Sequence, residues 1–389
     1  MKKRLAIITT HPIQYNAPLF KLLAQRGIIQ VKVFYTWGET VLQNKYDPGF
    51  SKNIEWDIPL LEGYDYSFVL NTAKDKGSHH FNGINNPALI RDIELWKPDA
   101  ILIYGWSFKS HLKALRYFNK KNLIFFRGDS NSLKKISFFK NKLRNLFLKW
   151  VYRHVDVAFY TGTHNRNYFL QHGLKKDQLV FVPHAIDNHR YAEKEIFFEE
   201  KARQWREKLG VKLNDILFLY AGKIDGNKNV QLLIDAFIKI EHPGAHLLIA
   251  GNGEDEKRLA GKYAVHSKIH FIPFQNQSVM PVLYRVCDVF VLPSLSETWG
   301  LVLNEAMACS KVVIASDACG ASVDLISEGK NGYIFKSGNI NDLENKMRLV
   351  VKNRHALKDM GMASFDIIKD WSYQSACAAI EKTILFTDV

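Results

Sequence analysis

Short apolar runs alternate with amphipathic stretches along almost the whole chain. In the first half, Leu5–Thr9, Val31–Tyr35, Ala100–Tyr104, Leu123–Phe126, Val157–Tyr160 and Leu179–Val182 read as buried strands. Between them, Ala17–Arg26 (ending at Gly27), Pro87–Trp96 and His111–Phe118 place apolar residues at helical spacing. The second half repeats the alternation. Its strands are expected at Ile216–Ala221, Ala245–Ala250, Ile269–Ile272, Val289–Leu292 and Val312–Ala315, and its helices at Val230–Ile240, Glu254–Ala264, Val279–Val286 and Leu301–Ala308. Short, wholly apolar strands separated by helices imply α/β architecture, with parallel sheets covered on both faces. Two stretches break the rhythm. Gly38–Asn82 is aromatic and polar by turns and reads as an insertion near the active cleft, while Asp187–Leu213 is charged and reads as a linker with a leading helix.

A length of 389 residues suits two domains, and 47% apolar residues is ordinary for a globular protein. The longest apolar runs fall far short of a membrane span, and Leu5–Ile8 is too short for a signal-peptide core, so a cytoplasmic chain is expected. Cys287, Cys309, Cys319 and Cys377 have no metal-ligand or redox spacing.

The richest chemistry lies between Pro293 and Asp317. The strand Val289–Leu292 runs into a loop carrying Glu297 and Gly300, and a helix begins near Leu301 with Glu305 one turn in. The first N–H groups of a helix lack partners and sit at the positive end of its dipole, which suits a phosphate. Carboxylates beside them suit hydroxyls, and a sugar nucleotide presents both groups.

This stretch resembles the paired-glutamate motif of glycosyltransferase family 4, whose members are retaining enzymes with the GT-B fold. The resemblance is dense from Ile216 to Phe335 and thinner over Leu5–Asp187. It implies two doubly wound Rossmann-like domains facing across a cleft. An acceptor-binding domain is expected over 1–187 and a sugar-nucleotide domain over 188–370, with a C-terminal helix near 371–389 crossing back to the first domain.

Residue by residue, the resemblance makes Lys223, after Gly222, and Lys228, opening the next helix, the cations that hold the donor diphosphate. A cation pair there stabilises a leaving group that gains negative charge. The alternative is two solvated loop lysines. Gly251, Asn252 and Gly253 stand where the family has a turn near the nucleotide, although a plain strand-to-helix turn needs the same glycines. Phe271–Phe274 resembles the segment that packs along the base. Glu305 would bind the ribose hydroxyls, Glu297 would orient the donor sugar, and the N–H groups at Gly300 and Leu301 would contact phosphate or sugar.

In the first half, Thr10–Asn16 replaces the glycine-rich loop of most relatives. His11 and Gln14 are candidates for acceptor contact, with His11 equally able to serve as a turn residue beside Pro12. Arg127 stands where many relatives have a His that contacts donor sugar, with Asp129 following, and His184 is expected to be structural. His79 and His80 lack a third ligand at metal spacing. No Asp-x-Asp motif occurs, so the expected reaction uses neither metal nor cofactor.

Between Lys109 and Arg153 stand thirteen Lys and Arg against one acid, Asp129, although the whole chain carries only +14. Within this stretch, Leu133–Val155 reads as an amphipathic basic helix. It serves either as a domain helix with a solvated outer face or as a surface for anionic lipid, which attracts cations held near it. Phe138 and Phe139 allow partial insertion.

The function expected is transfer of a sugar from a nucleotide-sugar to a glycan or lipid-linked acceptor in polysaccharide biosynthesis, at the inner membrane face. A sugar-nucleotide epimerase of the same fold would place its catalytic groups differently. A nucleic-acid-binding protein would interleave aromatics with its basic patch on an exposed sheet or loop, whereas here they follow the apolar stripe, so no nucleic acid partner is expected.

Overall fold

The computed structural model describes residues 2–39, 45–47, 49–50, 52–133, 137–193 and 196–387; for 45–47, 138 and 139 only the backbone is described. The chain divides into two compact units. One comprises Met1–Lys45, Pro59–His184 and Tyr373–Val389, the other Tyr46–Ile58 and Ala185–Ser372. The segment Tyr46–Ile58, which lies within the expected 1–187 domain, therefore belongs to the second unit.

The first unit is built on β1 (Arg4–Thr9) and β2 (Gln30–Tyr35). The short strands β3 (Lys45–Asp47) and β4 (Lys52–Ile54) form a separate two-stranded ribbon. The main sheet continues with β5 (Asp65–Phe68), β6 (Ala100–Tyr104), β7 (Leu123–Arg127), β8 (Val157–Tyr160) and β9 (Leu179–Phe181), in the order β5-β2-β1-β6-β7-β8-β9. Every neighbour pair is parallel, with Leu5 of β1 opposite Val31 on one side and Ala100 on the other. Leu5 through Ile8 and Ala100 through Ile103 are fully buried, as expected of strands covered on both faces. The insertion Gly38–Asn82 is thus partly structured: it supplies the edge strand β5 and the β3–β4 ribbon.

The C-terminal helix Tyr373–Phe386 belongs to this first unit. Its Glu381, 3% exposed, accepts a forked pair of hydrogen bonds from Arg26 at 2.9 Å each, at the end of the Ala17–Arg26 helix. A bidentate guanidinium–carboxylate pair fixes geometry as well as charge.

The second unit carries β10 (Ile216–Ala221), β11 (Ala245–Ala250), β12 (Ile269–Ile272), β13 (Val289–Leu292), β14 (Val312–Ser316) and β15 (Gly332–Phe335), in the order β12-β11-β10-β13-β14-β15. All pairs are again parallel. The chain builds outward from β10 to β12, then returns to lay β13 against the other side of β10. That reversal is a topological switch point. Diverging loops leave a crevice there, at the carboxyl ends of β10 and β13.

Candidate functional site

Four of the expected donor residues stand on the two loops that leave this switch point. Gly222 and Lys223 directly follow β10, and Lys228 precedes the Val230–Ile240 helix. Glu297 lies between β13 and the Leu301–Ala308 helix. The loops are stitched together: Leu295 N donates to Asn227 O at 2.8 Å, and Asn227 Nδ2 donates to Ser296 O at 2.9 Å. Lys228 Nζ forms an ion pair with the Glu297 carboxylate. Both side chains are about one-fifth exposed, so the pair is screened weakly yet reachable.

Glu297 is also held through its backbone. Its N–H donates to Ala318 O and its carbonyl accepts from Gly320 N, each at 3.1 Å. Gly300 follows with φ +99°, a conformation that favours glycine, and a Cβ there would meet Cys319 Sγ at 2.9 Å and Leu292 Cδ2 at 3.0 Å. Leu301 then opens the helix, half-buried. Burial pushes the Cys319 thiol up to about 12, so this cysteine packs rather than reacts.

Glu305 is placed differently from its neighbours. It is 1% exposed and accepts a 2.7 Å hydrogen bond from Tyr284 Oη. Arg190 lies near enough to feel the Glu305 charge and donates to Gln277 Oε1 at 2.6 Å and Tyr191 Oη at 2.9 Å. Burial works against the Arg190 cation, yet Tyr191, Glu305 and Asp187 together hold its pKa above the ordinary value. Neither Arg190 nor Tyr284 sits in a recognisable motif, and only the fold brings them to Glu305.

The Gly251–Asn252–Gly253 turn owes its glycines to protein packing. A Cβ on Gly251 would fall 1.8 Å from Gly222 O, and one on Gly253 would fall 2.3 Å from Ile224 O. Asn252 ties this turn to its surroundings, accepting from Phe274 N at 2.7 Å and donating to Glu256 at 2.7 Å. The turn thus seats the Gly222–Ile224 loop. Phe274 in turn packs edge-on against Phe50, with ring centroids 4.9 Å apart, and against Trp56 at 6.3 Å, both from the Tyr46–Ile58 segment.

In the first unit, His11 accompanies Thr10, Nδ1 to Oγ1 at 2.9 Å, and meets the Trp37 ring edge-on at 5.0 Å. Gln14 is half-buried beside it in sequence. Arg127 is 5% exposed and gives its two terminal nitrogens to Val182 O at 3.0 Å and Pro183 O at 3.1 Å. It ties the end of β7 to the chain beyond β9. Burial lowers its pKa, opposed by Tyr104 and Asp129. Asp129 itself is exposed. Burial and the Arg127 charge push His184 down to about 4, which leaves it neutral.

One expectation is corrected outright. His79 and His80 do have a third partner, because the loop brings the Asp75 Oδ2 to 3.2 Å and 3.1 Å from their Nε2 atoms. The spacing in sequence gave no hint of it. Asp75 and His79 are mostly exposed, and hydrogen bonding between the imidazoles and the carboxylate accounts for the arrangement.

The basic helix is shorter than Leu133–Val155, and its apolar positions divide between two faces. It spans Phe138–Tyr152, residues 134–136 lying outside those described. Leu148, Val151 and Tyr152 face the core, whereas Leu143 is 71% exposed, Leu146 61% and Phe147 40%. Exposed Lys140, Lys142, Lys149 and Arg153 flank this outer apolar strip. Trp106 and Trp150 extend it, their rings 5.2 Å and 5.6 Å from Phe147, and Arg116 lies over Trp150 at 5.3 Å. Among the described residues no helix is long and apolar enough to cross a membrane.

Comparison with known proteins adds three findings. Residues 201–365 match the family described as glycosyl transferases group 1. An uncharacterized glycosyltransferase of Methanocaldococcus jannaschii is 29% identical over 166 residues, 42% of this chain and 46% of that one. The N,N'-diacetylbacillosaminyl-diphospho-undecaprenol alpha-1,3-N-acetylgalactosaminyltransferase of Campylobacter jejuni is 23% identical over 219 residues, 56% of each. The chain thus spans about half the length of these curated relatives. Among solved structures, Anabaena Alr3699/HepE in complex with UDP and glucose superposes with a TM-score of 0.72 and 17% identity, over 99% of this chain and 100% of that one. A likeness of that extent gives this chain the GT-B fold.

Proposed function

We propose that this chain is a retaining glycosyltransferase of the family 4 type that uses a nucleotide-sugar donor. The observation that carries the reading is the placement of Lys223, Lys228 and Glu297 on the two loops that leave the second unit's switch point, with Lys228 and Glu297 paired, inside the region matched by the group 1 family. In this reading Lys223 and Lys228 hold the diphosphate and offset the charge that develops as the sugar leaves. Glu297 orients the donor sugar, and the backbone N–H groups at Gly300 and Leu301 contact phosphate. The leaving phosphate oxygen accepts the acceptor's proton on the face from which the acceptor attacks, so configuration is retained and no carboxylate is needed as nucleophile. Glu305 reaches a ribose hydroxyl only from its buried position beside Tyr284.

The acceptor is proposed to be a lipid-linked glycan at an anionic membrane surface. Leu143, Leu146 and Phe147 would enter the headgroup layer while the surrounding Lys and Arg meet lipid phosphates, as amphipathic basic helices do. Trp106 and Trp150 suit the membrane interface, where amphipathic rings concentrate. The Campylobacter jejuni relative, whose name carries a diphospho-undecaprenol saccharide, supports the same acceptor class. His11 and Gln14 are proposed acceptor contacts; Arg127, with both terminal nitrogens bound to carbonyls, is proposed to act through position.

The test is release of nucleoside diphosphate from a panel of UDP-, GDP- and ADP-sugars with EDTA present. Turnover of one donor, slow without acceptor, is expected. If none is turned over and no nucleotide raises the melting temperature, the reading fails.

A further inference from the structure

We propose that Phe50, on a strap whose described residues are 49–50 and 52–58, is a positioning residue for Lys223 and makes those residues part of the nucleotide site. This rests on the donor reading above and adds to it residues that no donor motif contains.

The strap is fastened at one end. Asn276 Nδ2 donates to Glu55 O at 2.6 Å, and Ser278 N lies 3.2 Å from both oxygens of the Asp57 carboxylate, which also accepts from Ser278 Oγ. Its middle lies on Phe274, with Trp56 on one flank and Lys52 Nζ 5.0 Å from the ring centroid. The other end reaches Lys223. Lys223 Nζ lies 5.1 Å from the centre of the Phe50 ring. Gly49 is packed against the same amine, and a Cβ there would come within 2.5 Å of Nζ. Any side chain at position 49 would push the Lys223 amine away, so this glycine is matched to the lysine beneath it.

A lysine side chain is flexible and loses rotamer freedom when it grips a ligand. The Phe50 ring attracts the ammonium through its π face and so restricts that freedom in advance. A π contact need not consume an ammonium's N–H donors as an ion pair would, so it restricts the side chain without competing for phosphate oxygens. Pre-ordering a ligating group raises affinity by reducing the ordering cost at binding. Phe50 would therefore act through Lys223.

The experiment is titration of the wild type, Phe50→Ala, Lys223→Ala and the double variant with UDP, GDP and ADP by calorimetry, with melting temperatures measured in parallel. Phe50→Ala is expected to weaken the preferred nucleotide by about fivefold, the range of a cation–π contact. Lys223→Ala should weaken it more, the double variant should be no weaker than Lys223→Ala alone, and Phe50→Trp should restore binding. Asp57→Asn, which loosens the fastening and leaves Phe50 in place, should give a smaller loss of the same kind. Losses that multiply in the double variant, or unchanged or tighter binding by Phe50→Ala, would overturn the proposal. Normal nucleotide affinity in Lys223→Ala would instead remove the donor assignment of Lys223, a failure recognisable without reference to Phe50.

Discussion

Lys228 and Glu297, 69 positions apart in sequence, form an ion pair that closes the switch-point loops of the second unit on one another. They pair at a place where a charged ligand is expected. Removing one partner leaves a charge largely withdrawn from water, which costs about 1–3 kcal/mol. Lys228→Met should therefore lower the melting temperature, and Lys228→Met with Glu297→Gln should recover most of it. Turnover should stay depressed by about 100-fold in both, as when a single charge-stabilising donor is lost. Recovery of turnover in the double variant would mean that the pair is architectural.

Glu305 gives a sharper separation of structure from binding. Glu305→Ala leaves Tyr284 Oη buried without its acceptor, and about 1–3 kcal/mol of stability should go with it. Glu305→Gln keeps a carbonyl oxygen for Tyr284, removes only the charge felt by Arg190, and should melt closer to the wild type than Glu305→Ala. If Glu305 binds ribose, both variants lose nucleotide affinity. Calorimetry on the Gln variant decides the point, because its fold is intact.

Gly251→Ala should fail at the level of the fold. Its Cβ would fall 1.8 Å from Gly222 O, and relief requires moving the loop that carries Lys223. A loss of about 1–3 kcal/mol or more is expected from the forced backbone, together with weaker nucleotide binding.

Acid should destabilise the first unit through His111. This ring is fully buried, with Nε2 2.8 Å from Thr36 Oγ1 and Nδ1 3.0 Å from Tyr104 O. Burial pushes its pKa down to about 4. The unfolded chain, titrating near 6.5, binds the proton first, so stability is complete above that value and declines as pH falls towards 4. The span is worth about 3 kcal/mol for this one group. Thermal melts between pH 7 and pH 4 should show the decline, and His111→Gln should flatten it.

Leu143→Glu with Leu146→Glu tests the membrane reading without touching the core, since both side chains are more than half exposed. The melting temperature should hold, while sedimentation with vesicles containing anionic lipid should fall by about tenfold or more, each buried apolar side chain contributing on the order of 1.5–3 kcal/mol. Unchanged sedimentation would leave the strip without that role.

The sheets were legible because their strands are short and wholly apolar; Ile216–Ala221 and Val289–Leu292 begin and end where the pattern says. What escaped was whatever depends on the third dimension. Nothing in the spacing of Asp75 foretold its approach to His79 and His80. The outer strip Leu143–Phe147 and the inner face at Leu148 and Val151 occupy one helix, and a single apolar stripe cannot distinguish a face that covers a sheet from one that does not. Tyr46–Ile58 has too little periodicity to announce its partner. Lys223, Lys228 and Glu297 could be named from their motifs, whereas Arg190, Tyr284 and Phe50 became visible only through the contacts they make.

The membership of Tyr46–Ile58 in the second unit has a consequence for the covalent path. The chain passes between units after Lys45, Ile58, His184 and Ser372. No single cut yields the second unit complete: a fragment starting at Ala185 would leave Phe274 without Phe50 and Trp56, and Lys223 without its ring. During synthesis residues 46–58 precede the β10–β15 sheet that they join, so the contacts of Phe50 and Trp56 with Phe274, and of Phe50 with Lys223, form only once that later sequence has been made.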